Sequence, residues 1–206
     1  MSVYGASVTK LIEQFEKLPG IGHKSAQRMA FYILGRTQEE AEEFAEAIKT
    51  ARKYAFEKKG KDYYKILTLN NSFHGRTITT LAATGQDAFH NDFLPLTDGF
   101  VYTDANDVEA LKKVVSENKL AAIMIETVQG EGGVVPLTEE FVGAIKEICE
   151  KEDILMIVDE VQTGNGRTGM LYGYMNYGIS HVGIYSRDTL PNMEAWKWEN
   201  RMIPSD

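Results

Sequence analysis

Ala121-Ala122-Ile123-Met124-Ile125 and Ile154-Leu155-Met156-Ile157-Val158 are near-continuous apolar runs, separated by an amphipathic stretch from about Glu139 to Glu150. Short runs without polar alternation predict strands buried on both faces, as in parallel sheets covered by helices. Tyr64 to Leu69 is another apolar run, and a helical pattern from about Asn106 to Ser116 follows it. Strand, helix, strand, helix, strand predicts an α/β fold, a mostly parallel sheet with flanking helices. Ligands of such sheets sit beyond the carboxyl ends of the strands. Polar motifs fall there: Ser72-Phe73-His74-Gly75-Arg76 after the first strand, Glu126 after the second, and Asp159-Glu160-Val161-Gln162 after the third.

The N-terminal stretch has a different period. Val8, Leu11, Ile12 and Phe15 follow helical spacing, Pro19-Gly20-Ile21-Gly22 interrupts it, and Ala26, Met29, Ala30 and Ile33 resume it. This predicts a helical hairpin. Thr37 and Glu40 have capping-box spacing and start a further helix with Ala41, Phe44, Ala45 and Ile48 on one face, running to about Lys58 before Gly60. After about Ile179 no period is visible. The expected organisation is therefore residues 1–50, a small all-α segment; 51–179, the α/β part; and 180–206, an irregular tail.

Composition narrows the function classes. The 206 residues carry 22 Lys+Arg against 30 Asp+Glu, a net charge of −8, with 43% hydrophobic residues, which is ordinary for a folded globular protein. No apolar run approaches the roughly 18 residues of a membrane span, and Met1-Ser2-Val3-Tyr4 does not begin a secretory leader. The expectation is a cytoplasmic protein without a membrane partner. The single cysteine, Cys149, lies on the apolar face of a helical pattern, so no internal disulfide or cysteine-cluster metal site can form. The four histidines lack ligand spacing, and no metal is expected. An acidic chain suits nucleic acid poorly, but Lys10, Lys17, Lys24, Arg28 and Arg36 face only Glu13 and Glu16 within residues 1–36, a local balance of 5 − 2 = +3.

Leu18-Pro19-Gly20-Ile21-Gly22-His23-Lys24-Ser25-Ala26, continued by Gln27-Arg28-Met29-Ala30-Phe31, resembles the helix-hairpin-helix DNA-binding motif of the RecR recombination mediators. The resemblance implies weak, sequence-independent DNA backbone contact. Gly20 and Gly22 would let the backbone approach a phosphate, and Lys24 and Arg28 would add attraction. One cysteine cannot supply that family's four-cysteine zinc site.

From about Ala51 to Ile179 the chain resembles the class III pyridoxal-phosphate aminotransferases, and within them the acetylornithine aminotransferases. The motifs that carry this are Ala51-Arg52-Lys53-Tyr54-Ala55, Ser72-Phe73-His74-Gly75-Arg76-Thr77, Glu126-Thr127-Val128-Gln129-Gly130-Glu131-Gly132-Gly133 and Asp159-Glu160-Val161-Gln162-Thr163-Gly164. The resemblance implies part of a fold-type I large domain, pyridoxal 5'-phosphate as cofactor, a homodimer, and amino-group transfer in arginine biosynthesis. It also implies cofactor contacts from Phe73, His74, Asp159 and Gln162: Asp159 on the ring nitrogen, Gln162 on the ring hydroxyl and Phe73 stacked on the ring. Arg76, Glu126 and Glu131 would serve the substrate, Arg76 by binding a carboxylate and Glu131 as a gate. Thr127 stands where the family usually has proline. The family's cofactor-bearing lysine would fall near residue 188, where the chain has Asp188; the later Lys197 lies between Trp196 and Trp198. The phosphate-cup loop expected before Ala51 is replaced by the helical hairpin, and the small domain lies beyond the end.

The expectation is thus a truncated fusion without a catalytic lysine, inactive alone. Its junction would lie in Ala47-Ile48-Lys49-Thr50-Ala51-Arg52-Lys53, which resembles both families. Three readings stay open: a transaminase, a DNA-binding module, or a fusion product with no function of its own.

Overall fold

The computed structural model describes residues 9, 12–14, 16–17, 22–24, 26–27, 47–91 and 93–179, and the backbone of 183–185. By its contacts the chain divides into two units, Met1–Glu46 and Ala47–Asp206.

In the first unit the described residues are largely helical. Ala26 N donates to Gly22 O at 2.9 Å, so a helical turn begins on that glycine, and Ile12 and Ala26 are buried. Gln27 Nε2 contacts His23 Nε2, and His23 Nδ1 contacts Glu16.

The second unit opens with α1, helical through 47–59, whose Ile48, Ala51 and Ala55 are buried at helical spacing. Then come β1 (Lys65–Leu69), α2 (Ile78–Ala83), β2 (Phe100–Thr103), α3 (Val108–Glu117), β3 (Leu120–Glu126), β4 (Val128–Gln129), β5 (Val135–Pro136), α4 (Glu139–Glu152), β6 (Leu155–Asp159) and β7 (Gly183–Tyr185). The five main strands are all parallel, in the order β2-β1-β3-β6-β7; β4 and β5 make a separate antiparallel pair. The α/β architecture and the parallel β1, β3 and β6 agree with the sequence pattern.

The helices start and stop for local reasons. Asp107 caps α3 by accepting from Ala110 N at 2.9 Å, and Thr138 caps α4 by accepting from Phe141 N at 3.2 Å. Glu139 and Glu140 in the first turn of α4 and Lys151 in its last complement the helix dipole. Phe141, Val142, Ile145 and Cys149 form the buried stripe of α4, in one cluster with Leu67, Leu69, Ile123, Ile125, Met156 and Val158 of the sheet. Every residue of β3 is buried, which is why its sequence shows no alternation. Burial pushes the Cys149 thiol up to about 12, so it serves as packing rather than as a nucleophile.

The strand order fixes where a ligand can sit. The chain builds outward from β1 to β2, then returns to the other side of β1 for β3, β6 and β7. The order therefore reverses between β1 and β3, so the connections leaving those strands run to opposite sides, which is the position where sheets of this kind bind ligands. β7 lies inside the stretch 180–206, which shows no sequence period; three residues are too few to display one.

Candidate active site at the β1, β3 and β6 strand ends

The site is built on one register position. Glu126, the last residue of β3, pairs with Asp159, the last residue of β6, so two carboxylates end side by side at 3% exposure each. Two close buried carboxylates need compensation. Much of it comes from the loop after β1. Phe73 N donates to Glu126 Oε2 at 3.0 Å, and His74 Nδ1 donates to Asp159 Oδ2 at 2.9 Å. Asp159 Oδ1 also accepts from Val161 N at 3.0 Å.

The loop carrying Phe73 and His74 is itself held. His74 N donates to Thr84 Oγ1, Gly85 N to Ser72 Oγ, and Gln86 Nε2 to Ser72 O. This stitching needs a glycine at 85, because a Cβ there would lie 2.1 Å from Leu69 O.

The electrostatics follow from burial. Burial raises the Glu126 carboxyl and Asp159 raises it further, while His74 and the Phe73 N–H oppose them, for a net value of about 7. Burial lowers the His74 imidazole, but the hydrogen bond to Asp159 and the charges of Asp159 and Glu126 outweigh it and hold its pKa above the ordinary histidine range. His74 is therefore drawn toward the imidazolium, the form that pairs with a carboxylate.

The other sequence-derived residues lie on the loops that follow β1, β3 and β6. Phe73 is half-buried beside it. Arg76 is exposed, with Cζ 5.5 Å from the Phe73 ring centroid and 4.8 Å from that of Phe89. Gln162 is exposed, with its amide group close against Gly130, where an added Cβ would lie 3.2 Å from Gln162 Cδ. Glu131 is exposed in the turn between β4 and β5 and near enough to raise Glu126. Glu126, which the resemblance assigns to the substrate, is enclosed, with one oxygen bound to the Phe73 amide.

Gly22 and Lys24 are exposed in the first unit, while Gly20, Arg28 and Asp188 lie outside the described residues. A cavity of about 480 Å³ is lined by Asn70, Asn71, Gly85, Gln86, Asp87, Ala88 and Tyr102; it contains none of the sequence-derived site residues, so the strand-end cluster defines the site better. Among the described residues, no cluster of His, Cys, Asp and Glu could hold a metal ion, and no helix is long and apolar enough to cross a membrane.

Sequence reasoning missed two residues. Glu160, at 1% exposure, accepts from Thr163 Oγ1 at 2.5 Å and from Gly173 N and Tyr174 N at 2.9 Å each, so it closes the loop that carries Gln162. Its place beside Asp159 was the only signal. Phe89 gave none, because an isolated aromatic outside any periodic element reads as loop.

The family model for aminotransferase class-III matches residues 23–181. The chain belongs to the class-III aminotransferase family. The match begins at His23, inside the stretch that resembles the helix-hairpin-helix, and so takes in Lys24 and Arg28. An acetylornithine aminotransferase from Caldanaerobacter subterraneus is 54% identical over 133 residues, covering 65% of this chain and 34% of that protein. A succinylornithine transaminase from Salmonella paratyphi A is 41% identical over 155 residues, covering 75% and 36%. The chain spans about a third of the length of these curated relatives. Among solved structures, an ornithine aminotransferase from Toxoplasma gondii is 32% identical with a TM-score of 0.64, over 86% of this chain and 46% of that one. An (S)-enantioselective omega-transaminase from Thermomicrobium roseum is 35% identical with a TM-score of 0.63, over 68% and 36%. The α/β unit therefore shares the fold of the transaminases it resembles in sequence.

Proposed function

We propose that this chain carries the cofactor-ring side of a pyridoxal-phosphate aminotransferase site of the acetylornithine and ornithine type, and that it holds the cofactor without a lysine link. The observation that carries this reading is the pairing of Glu126 with Asp159 at adjacent strand ends, with His74 Nδ1 on Asp159. A buried carboxylate, an aromatic ring on the neighbouring loop and an amide on the next form a donor set that fits a flat, protonatable heteroaromatic ring. Asp159, supported by His74, would accept from the ring nitrogen, Phe73 would lie against the ring and Gln162 would serve its hydroxyl. Arg76 would bind a substrate carboxylate through its planar fork, and Glu131, exposed and near enough to act on Glu126, would be the gate. Bound there, pyridoxal phosphate supplies the electron sink that amino-group transfer needs.

No lysine occurs between Lys151 and Lys197. An amine at the family spacing is what would hold the cofactor covalently and carry the substrate proton, and Asp188 can do neither. The chain alone therefore binds the cofactor and does not complete transfer. A homodimer, as the resemblance implies, is part of the same proposal. Incubation with pyridoxal phosphate, borohydride reduction and peptide mapping test it: saturable binding with no stoichiometrically labelled lysine is expected. One fully labelled lysine overturns the absence of a link, and no saturable binding overturns the cofactor assignment.

A further inference from the structure

Phe89 closes the 3-10 turn Asp87–Phe89, outside every motif that carries the family resemblance. Its ring meets Phe73 edge-on, with centroids 5.8 Å apart and planes at 73°. The Arg76 guanidinium lies against both rings, nearer Phe89, and so occupies the corner between two almost perpendicular aromatic faces. Among the described residues Arg76 makes no hydrogen bond or ion pair, so these rings are what orient it. The turn bearing Phe89 is anchored in its turn: His90 Nε2 donates to Leu81 O at 3.0 Å and to Thr84 O at 2.8 Å, at the end of α2.

We propose that Phe89 is a positioning residue which, with Phe73, forms an aromatic corner that holds the Arg76 guanidinium ready for a carboxylate ligand. This rests on the reading of Arg76 as the carboxylate-binding residue. An arginine side chain has much rotamer freedom to lose, and a guanidinium resting on aromatic faces has lost part of it before the ligand arrives. Two rings at 73° to each other can cover a face and one side of a planar group, which leaves N–H donors of the fork for a carboxylate binding in its plane. Phe89 also fixes the Phe73 ring, so one side chain sets the geometry of both the cofactor wall and the carboxylate clamp.

The test uses the full chain in four forms: unaltered, Phe89→Leu, Phe89→Tyr and Arg76→Gln. Phe89 is only half-buried, so its substitution leaves the core intact. The Arg76 Nε–Hε signal is followed by NMR without ligand, then during titration with N-acetyl-L-ornithine. Ring currents displace the signal in the unaltered chain and in Phe89→Tyr, and Phe89→Leu returns it toward the free-arginine position. Affinity falls roughly three- to fivefold in Phe89→Leu, recovers in Phe89→Tyr, and falls further in Arg76→Gln. Weak binding by Arg76→Gln together with an unchanged Phe89→Leu affinity overturns the role of Phe89 alone, whether or not the signal moves. Equal affinity in Arg76→Gln and the unaltered chain overturns the reading of Arg76 itself.

Discussion

Replacing Glu126 by glutamine should stabilise the fold at alkaline pH and not at acid pH. The carboxyl titrates at about 7 in the fold against 4.5 as its reference value, and each pKa unit corresponds to about 1.4 kcal/mol. The fold holds this proton more tightly than the unfolded chain, so the contribution is fully present below pH 4.5 and is lost as pH rises through 7. Above pH 7 the ionised Glu126 therefore costs the fold about 3 kcal/mol. Glutamine carries no such proton and keeps an oxygen for the Phe73 amide, which the carboxylate accepts at 3.0 Å. The effect on His74 is the same coupling free energy seen from the other partner and is not added again.

Urea unfolding of both chains at pH 5, 6, 7 and 8 measures this. The stability difference in favour of Glu126→Gln should grow by about 2.5 kcal/mol across the series, because part of the effect is already present at pH 5, and should reach a midpoint shift of about 1 M or more in urea at pH 8. The His74 imidazole, followed by NMR, should titrate at a lower pH in the variant. A stability difference that stays constant with pH refutes the buried-carboxyl geometry.

Glu160→Gln should destabilise by about 2 kcal/mol in urea unfolding, because an amide cannot accept from all three donors that the carboxylate serves. Tryptic cleavage at the exposed Arg167 in the same loop should accelerate, and an unchanged rate would remove Glu160 from loop closure. Gly173→Ala would put a Cβ 2.5 Å from Thr127 Oγ1 and 2.9 Å from Thr163 Cβ, at a cost of about 1–3 kcal/mol. Adding Thr127→Ala should recover part of that loss; strict additivity of the two substitutions would contradict the contact.

The parts of the fold legible in sequence are those whose burial is one-sided or complete. β3 and β6 read as apolar runs because both faces are covered, and α3 and α4 read from apolar stripes and capping residues. β2 did not read, since Phe100, Val101 and Tyr102 are all only half-buried and show no alternation. α2 is six residues with two threonines, and β4 and β5 are two residues each, below the length at which any period shows. In the site, Asp159 was legible from its strand-end position. The burial of Glu126 was not: it comes from pairing with β6 and from the Phe73 amide, contacts 33 and 53 residues away in sequence. Phe89 and Glu160 act through neighbours that only the folded loops bring within reach.

The most direct test of Asp159 as the partner of the ring nitrogen is the nitrogen NMR signal of ¹⁵N-labelled pyridoxal phosphate bound to this chain and to Asp159→Asn. A protonated ring nitrogen in the unaltered chain and an unprotonated one in the variant is the result predicted. An unprotonated nitrogen in both, or no bound signal in the unaltered chain, would contradict it.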